Sequence, residues 1–390
     1  MVKRRRAFEQ LSDNYLFPEI HRRKQLFLEK HPKAALMSLG VGDTVKPLPP
    51  HVAKSMGKAA ARLKTREGYQ GYGNSQGLVR LRKQLISRFY SDRIDVNELF
   101  ISDGAKCDIG RLQMLFGRDI RVAIQDPAYP VYLEGSLLQE IDSITLMPCL
   151  PDNNFFPDLP ELSDLDLIYI CHPNNPTGRT YNTSQLKRLV DYAISHRLIL
   201  LFDVAYASFI RDPLIPKTIY DIPGAEKVAI EIGSFSKMAG FSGIRLGWTV
   251  VPRAIEFEGG ECVWKDWMRM HAAIYNGASS IAQHGGVAVL EEEGWNAIKE
   301  ITDQYLENAE RLRQGFERRG LTVYGGRNIP YLWVHYPNRK SWDVFQNFLE
   351  EKHLIVTPGL GFGPSGEHFI RVSAFAHREV IDRALLALDT

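Results

Sequence analysis

A single lysine stands among small residues in the stretch EIGSFSKMAGFSGIRLGWTV, residues 231–250. Two serines precede Lys237, Ser234 and Ser236, and Arg245 follows it by eight positions. A lysine close to another cation has a lowered pKa, so its neutral amine can attack a carbonyl group and form an imine. Ser234 and Arg245 add a hydroxyl and a guanidinium that suit an anion such as phosphate. The stretch therefore predicts a nucleophilic lysine beside a phosphate site.

Four more residues with reactive or polar side chains come just after apolar runs that predict buried strands: Tyr129, Asn175, Asp203 and Tyr206. Ligands of α/β proteins bind beyond the carboxyl ends of parallel strands, so these residues are expected on one rim of a sheet. The turn DGAK supplies Gly104, Ala105 and Lys106 to the start of a predicted helix, where free N–H groups and the helix dipole attract an anion. The sequence thus predicts a second contribution to the phosphate site.

One cofactor suits all of these side chains. Pyridoxal 5′-phosphate (PLP) is an aldehyde that carries a phosphate, and Asp203 would keep its pyridine nitrogen protonated so that the ring accepts electrons. Tyr129 offers an aromatic face to the ring, while Asn175 and Tyr206 can hydrogen-bond its oxygen and hold down the imine pKa. Taken singly, each residue also has an ordinary explanation, such as a helix cap, a turn or core packing. Jointly they favour a PLP site with Lys237 as the nucleophile.

Strand-like and helix-like segments alternate from about residue 95 to residue 250. Five apolar runs predict buried strands: RVAIQ (121–125), LDLIYIC (165–171), LILLF (198–202), KVAIEI (227–232) and GWTVV (247–251). These runs are apolar throughout, as is typical of parallel strands covered on both faces. The segment 183–196 has helical spacing, with Thr183 or Ser184 as the predicted N-cap. We therefore predict an α/β fold with a mainly parallel sheet.

The pattern changes after about residue 285. It predicts a long charged helix over 291–320, strand-like YLWVHY (331–336), a helix near 341–352, strand-like LIVTPG (354–359), strand-like HFIRVSA (368–374) and a final helix. The sequence therefore predicts three parts. They are an N-terminal arm with part of a small domain over 1–45, a large PLP-binding domain over 46–285, and a small α+β domain over 286–390.

Charge and cysteine content exclude several classes of protein. The 390 residues include 48 basic and 46 acidic side chains, for a net charge of +2, so no overall field attracts nucleic acid or a membrane surface. No apolar run is long enough to span a bilayer. The four cysteines are widely spaced and form no CxxC pair, which argues against a metal site or a disulfide framework and predicts a cytoplasmic location.

The motifs NNPTG, D-x-x-Y at Asp203 and Tyr206, and SFSKxxGxxGxRxGW together resemble those of the fold-type I PLP-dependent aminotransferases. The resemblance covers nearly the whole chain and implies a seven-stranded, mainly parallel sheet and a homodimer with shared active sites. It implies that Lys237 forms the Schiff base and that Arg371 binds the substrate α-carboxylate beside Gly42. The implied phosphate ligands are Ser234, Ser236, Arg245, the Gly104–Lys106 turn, and Tyr72 reaching across from the neighbouring subunit.

Longer segments, among them NYLFPEI, SDGAKCDIGRLQ and YNGASSIAQ, look like those of the LL-diaminopimelate aminotransferases. That resemblance implies amino transfer between LL-diaminopimelate and 2-oxoglutarate, giving tetrahydrodipicolinate and glutamate or the reverse, for lysine and peptidoglycan synthesis. One departure is Ser75, which stands where the group carries an acidic residue that pairs with the distal ammonium. The implied substrate ligands are Lys106, Tyr129, Asn175, Asn276 and Tyr15 of the partner subunit.

Other functions stay open at this point. An aminotransferase with aspartate, aromatic or alanine-type donors would use the same residues, and a PLP lyase acting on cysteine derivatives would release pyruvate without an acceptor. A silent effector-binding module is disfavoured because the sequence has no helix-turn-helix segment and no basic DNA-binding face. A nicotinamide-dependent dehydrogenase is disfavoured because no GxGxxG motif follows an early strand.

Overall fold

The computed structural model describes residues 2–11, 16–69, 71–90, 93–159 and 164–389. The α-helices in these ranges are α1 Ala7–Gln10, α2 Leu16–Lys30, α3 Pro50–Arg62, α4 Val79–Leu85, α5 Ala105–Phe116, α6 Val131–Leu138, α7 Thr183–His196, α8 Phe235–Met238, α9 Val263–Ile274, α10 Ser280–Leu290, α11 Glu292–Glu317, α12 Ser341–Lys352 and α13 Arg378–Asp389. The strands are β1 Met37–Ser38, β2 Leu99–Ser102, β3 Arg121–Asp126, β4 Ser143–Pro148, β5 Leu167–Cys171, β6 Ile199–Asp203, β7 Ala229–Ser234, β8 Gly247–Val250, β9 Val323–Gly325, β10 Tyr331–His335, β11 Leu354–Ile355, β12 Thr357–Pro358 and β13 Phe369–Ser373.

The largest sheet has seven strands in the order β2-β8-β7-β6-β5-β3-β4. Strands β4, β3, β5, β6 and β7 pair in parallel, and β5 and β7 are buried along their whole length. The prediction of an α/β fold with a mainly parallel, seven-stranded sheet is confirmed. At the carboxyl-end rim of this sheet, Asp203 ends β6 and Ser234 ends β7.

Strand β8 differs from the parallel direction that its apolar run predicted. It pairs antiparallel with both β7 and β2. A parallel return requires a crossover of a dozen or more residues, usually a helix that packs on the sheet. The connection from β7 to β8, residues 235–246, only just reaches that length, and its helix α8 has four residues, too few for a crossover helix that covers the sheet, so the chain turns back beside β7. Lys237 lies in this short connection, directly above the sheet rim.

Helix α7 has the predicted bounds but not the predicted cap. Asn182, rather than Thr183 or Ser184, is the N-cap, and its side-chain oxygen accepts a hydrogen bond from the Gln185 backbone N–H. The Gln185 side chain in turn accepts from the Asn182 backbone N–H, which completes a capping box. Both candidates lie inside the first turn because Asn182 satisfies the free donors one residue earlier.

The C-terminal part forms a second, antiparallel sheet in the order β12-β13-β10-β9, flanked by α11, α12 and α13. The single strand predicted over 354–359 is wrong, because the chain divides at Val356 into β11 and β12, which belong to different sheets. Strand β11 pairs in parallel with β1, so the N-terminal segment joins this part of the molecule. The domain boundaries at residues 45 and 285 stay a prediction. No helix in the described ranges is both long and apolar enough to cross a membrane.

Candidate active site

A cavity of about 390 Å³ lies between the carboxyl-end rim of the large sheet and strands β10 and β13. Most of the residues singled out from the sequence line it: Gly42, Ala105, Lys106, Tyr129, Asn175, Asp203, Tyr206, Ser234, Ser236, Lys237, Arg245 and Arg371. Gly104 lies just behind this wall, with φ +119° and no room for a side chain because the Arg245 guanidinium fills the space. Residues that are distant in the sequence meet here because parallel strands present their carboxyl ends at the same edge of the sheet.

Besides Gly104, two predicted site residues in the described ranges do not line the cavity. Tyr72 is 87 % exposed, and Asn276 is also exposed, just after α9. Tyr15 lies outside the described residues. Ser75 lies next to the Asn276–Gly277 segment, since a Cβ added at Gly277 would be 3.5 Å from the Ser75 Cα. The roles of these residues stay predictions, and for Tyr72 the expected partner is a neighbouring subunit.

Lys237 is the most unusual cation in the cavity. Burial, together with repulsion from Arg371, Arg245 and Lys106, lowers the pKa of its amine to about 8. Asp43 acts in the opposite direction, with its carboxylate 3.9 Å from the Lys237 Nζ. The neutral amine is therefore accessible near neutral pH, which a nucleophile or a general base requires.

Replacing Asp43 with asparagine is expected to lower the pKa of Lys237 below about 8 in the cofactor-free protein. The carboxylate favours the ammonium form, so its loss favours the neutral amine at every pH. The measurement is the pH dependence of Lys237 labelling by an amine-reactive reagent, followed by peptide mass spectrometry. Asp43→Glu keeps the charge and is the matched control. A labelling midpoint that stays unchanged or moves upward in Asp43→Asn would contradict this account.

Asp203 is a buried carboxylate whose contacts are all neutral. Its Oδ2 accepts a hydrogen bond of 2.8 Å from the Tyr132 hydroxyl, and its Oδ1 accepts one of 2.9 Å from the Ala205 backbone N–H. Burial raises the pKa of Asp203, and the described residues place no cation against it. A buried carboxylate in this setting suits a cation that arrives with a ligand, such as a protonated pyridine nitrogen.

Tyr132 follows the same apolar run as Tyr129, which predicts it on the same rim of the sheet, but no role was predicted for it from the sequence. It lies in the first turn of α6 and is buried, with its ring stacked 5.3 Å from that of Tyr169 on β5. Its spacing from Tyr129 in DPAYPVY is one helical turn, which places both tyrosines on the same side of the α6 start. That spacing was a signal for a second functional tyrosine.

The anion-binding residues meet at the starts of two helices. Gly104 precedes α5, whose first-turn N–H groups face the cavity beside Ala105 and Lys106. Ser234 caps α8, with its hydroxyl oxygen accepting from the Ser236 N–H at 3.1 Å. The Arg245 guanidinium is anchored by the Ser242 carbonyl at 2.8 Å and lies against Gly104. Helix-start N–H groups, hydroxyls and a guanidinium fit a phosphate group.

Arg371 forms a second, separate anion site on β13. Its side chain is only 2 % exposed, and it donates from Nη1 to Asn175 Oδ1 and from Nη2 to the Gly40 carbonyl, each at 2.8 Å. Its Nε–H is buried and has no hydrogen-bond partner among the described residues. An unpaired donor on a buried guanidinium costs free energy unless a ligand satisfies it. A ligand carboxylate in the cavity would do so.

Tyr331 is a second functional candidate that the sequence did not reveal. It begins β10 and lines the cavity, with its hydroxyl oxygen 3.0 Å from that of Tyr206. As the first residue of YLWVHY it has the pattern of an ordinary buried strand residue, so only the structure connects it to the site.

The sequence profile of the family "Aminotransferase class I and II" matches residues 34–388. The LL-diaminopimelate aminotransferase of Protochlamydia amoebophila is 48 % identical over 99 % of this chain and 96 % of its own length. The chloroplastic LL-diaminopimelate aminotransferase of Arabidopsis thaliana is 46 % identical over 97 % of this chain and 85 % of its own length. The chain belongs to the class I and II aminotransferases, with the LL-diaminopimelate aminotransferases.

Solved structures agree with this membership. The L,L-diaminopimelate aminotransferase of Chlamydomonas reinhardtii has a TM-score of 0.95 and 49 % identity, covering 100 % of this chain and 98 % of that one. The aspartate aminotransferase of Thermus thermophilus shares the fold, with a TM-score of 0.85 at 19 % identity and 99 % coverage of both chains. The protein is therefore an aminotransferase of the fold-type I class, which acts on small molecules and whose family implies PLP.

Proposed function

We propose that this aminotransferase uses PLP to move an amino group between LL-diaminopimelate and 2-oxoglutarate, giving tetrahydrodipicolinate and glutamate or the reverse. The observation that carries the chemistry is the meeting, in one cavity, of a lysine with a pKa of about 8 and the buried Arg371, whose Nε–H lacks a partner. The substrate is proposed because proteins with that activity in their names share 46 to 48 % of this sequence over nearly its full length.

The residues of the cavity fit the parts of PLP. Asp203 would pair with the pyridine nitrogen, Tyr129 would cover one face of the ring, and Asn175 and Tyr206 would donate to its ring oxygen. The bound cofactor supplies an aldehyde carbon and an electron-accepting ring. The phosphate would lie against Ser234, Ser236, Arg245, Gly104, Ala105 and Lys106, with Tyr72 of a neighbouring subunit as a further donor.

The chain's own groups then have distinct tasks. Arg371 holds the α-carboxylate of the amino acid and so fixes the direction of its Cα–H bond. The Lys237 amine removes that proton as a general base and returns it as a general acid. Asp203 would stabilise the positive charge of the cofactor's pyridine nitrogen during the whole reaction. Keto acid and amino acid bind in turn, in a ping-pong order.

A homodimer with shared active sites is part of this proposal. Tyr69, Tyr72, Leu63 and Ile274 are large apolar residues with exposed side chains, and Tyr72 and Asn276 have predicted roles in a site that they do not reach in one chain. Exposed apolar side chains of this kind favour association. Light scattering is expected to give twice the 44.3 kDa of one chain. The cytoplasmic location also stays a proposal, supported by four free cysteines.

The visible absorption spectrum of the PLP-loaded protein tests the proposed function. Addition of LL-diaminopimelate without any keto acid is expected to remove the cofactor's initial visible band and to produce the band of pyridoxamine phosphate. If glutamate or aspartate removes the initial band and LL-diaminopimelate does not, the protein is still an aminotransferase but LL-diaminopimelate is not its donor. A protein that acquires no visible band with PLP would contradict the cofactor assignment.

Ser75 is expected to weaken discrimination between the LL and meso isomers of diaminopimelate. A serine offers a neutral hydrogen bond to the distal ammonium, whereas a carboxylate offers a stronger, charge-assisted one. We expect Ser75→Glu to raise the ratio of kcat/KM for the LL isomer over the meso isomer by roughly tenfold. Ser75→Gln, which adds the same length without charge, is the control. Equal ratios in all three proteins would show that other groups distinguish the distal amine.

A further inference from the structure

Tyr331 contacts two of the groups that the proposed function requires. Its hydroxyl oxygen lies 3.0 Å from that of Tyr206, which is proposed to bind the cofactor's ring oxygen. Its ring lies under the guanidinium of Arg371, with the guanidinium carbon 4.4 Å from the ring centroid. Tyr206 follows β6 in the large sheet and Arg371 lies on β13 in the smaller sheet. One side chain therefore connects the cofactor side and the substrate side of the cavity.

The surroundings of Tyr331 leave its phenol little freedom. Its ring is edge-on to that of Tyr206 at 5.3 Å and to that of Phe375 at 5.7 Å. Backbone pairing with Ser373 fixes its position on β10. A Cβ added at Gly42 would collide with the Tyr331 hydroxyl, so glycine at that position makes room for it. These contacts hold the hydroxyl at Tyr206 and the ring beneath Arg371.

The contact between the two hydroxyls has an electrostatic consequence. Burial, and then Tyr331, raise the pKa of Tyr206 well above its ordinary value, so Tyr206 stays protonated and can act as a donor. Either hydroxyl can be the donor in the 3.0 Å contact between them. With Tyr206 donating to the cofactor's ring oxygen, Tyr331 would donate to Tyr206, and a hydroxyl that accepts one hydrogen bond donates more strongly in another. The remaining titratable groups near Tyr206 are Arg371 on β13 and Cys171 on β5, and Lys237 of α8 also faces this cavity.

We propose that Tyr331 is a positioning residue with two separable parts, the hydroxyl acting on the cofactor through Tyr206 and the ring acting on the substrate through Arg371. This inference rests on the proposed function. The hydroxyl strengthens donation by Tyr206 to the ring oxygen of PLP. The ring contacts the Arg371 guanidinium through a cation–π interaction and excludes water from that side. This contact keeps the guanidinium in the orientation in which its unpaired Nε–H can donate to a substrate carboxylate.

Two variants separate the two parts. Tyr331→Phe removes only the hydroxyl, so the pH midpoint of the visible band of the PLP-loaded protein is expected to rise by about half a unit to one unit. The direction follows because weaker donation to the ring oxygen favours the protonated form of the chromophore. KM for the amino donor is expected to stay within about twofold. Tyr331→Leu removes the ring as well, and we expect KM to rise by roughly tenfold in addition.

Tyr220→Phe is the matched control for the loss of a buried phenol hydroxyl. Tyr220 is buried and does not line the cavity, and its hydroxyl donates to the Ala229 carbonyl at 2.9 Å and, at the longer distance of 3.4 Å, to the Val250 carbonyl. It is expected to lower thermal stability as Tyr331→Phe does, with no change in the pH midpoint. Arg371, Cys171 and Lys237 are unchanged in all three variants, so they do not account for a difference in midpoint.

The outcomes distinguish this inference from the proposed function. A wild-type protein that shows no visible band with PLP would overturn the proposed function itself. A wild-type band with an unchanged midpoint in Tyr331→Phe would leave the proposed function standing and overturn the role of the hydroxyl. A KM that rises equally in Tyr331→Phe and Tyr331→Leu would overturn the separate role of the ring. The expected pattern is a midpoint shift in both variants and a raised KM in Tyr331→Leu alone.

Discussion

Replacing Lys237 with alanine is expected to lower kcat by at least about 10³-fold while the protein still folds and still binds PLP weakly. The cavity supplies other groups for the phosphate, the pyridine nitrogen and the ring, so cofactor binding does not depend on Lys237 alone. Catalysis, by contrast, depends on the Lys237 amine, whose pKa is lowered to about 8. At pH 7 that pKa leaves about a tenth of the amine neutral, against less than about a thousandth for an ordinary lysine.

The measurement is single-turnover conversion of the bound cofactor by the amino donor, followed by absorption. A small primary amine added to Lys237→Ala is expected to restore part of the rate, because it can enter the cavity and carry the proton. Lys237→Met, which fills the same space without an amine, is the control for packing and is expected to be equally inactive but not rescued. Near-normal turnover in Lys237→Ala would refute Lys237 as the general base.

Residues whose role follows from the end of a strand were predictable from the sequence. Asp203 ends β6 and Ser234 ends β7, and both lie at the cavity because parallel strands present their carboxyl ends on one rim. The role of Arg371 was predicted from the family resemblance alone, because nothing in the pattern of a predicted strand distinguishes a functional basic residue from an ordinary one. Burial of Arg371 between Asn175, Gly40 and Tyr331 shows why a cation is tolerated there.

The contacts through which a residue acts on a neighbouring functional group were not predictable. Tyr132 and Tyr331 each contact a functional side chain from another element, and their own patterns are those of a helix start and a buried strand. Asp43 looks like a loop residue, and its distance to Lys237 depends on how the N-terminal segment folds over the sheet rim. Contacts of this kind arise from tertiary packing, which local spacing does not encode.

Two errors in the predicted elements have a related cause. The antiparallel direction of β8 depends on the short β7–β8 connection, whereas its apolar composition matches that of the parallel strands. The break at Val356 depends on two different pairing partners, since β11 joins β1 and β12 joins β13. Composition predicts burial well, but strand direction and strand partner are decided by connections and by distant segments.

Replacing Asp203 with asparagine is expected to have the second largest effect, a loss of roughly 10²- to 10³-fold in kcat. The amide has the same shape and can still pair with Tyr132 and Ala205, so the change removes charge rather than packing. Without the carboxylate, the bound pyridine nitrogen loses the anion that keeps it protonated. Tyr132→Phe is the graded comparison, expected to cost about tenfold because it removes one hydrogen bond to the carboxylate.

Stability provides the independent readout for Asp203→Asn. Burial raises the pKa of Asp203 in the folded protein, so the ionised carboxylate disfavours folding at pH values above its ordinary pKa. Removing that charge is therefore expected to leave the cofactor-free protein at least as stable as the wild type at neutral pH, in chemical denaturation. A variant that is both inactive and strongly destabilised would indicate a structural role for Asp203. Lost activity with retained or increased stability is the result expected of a carboxylate kept buried for the cofactor's cation.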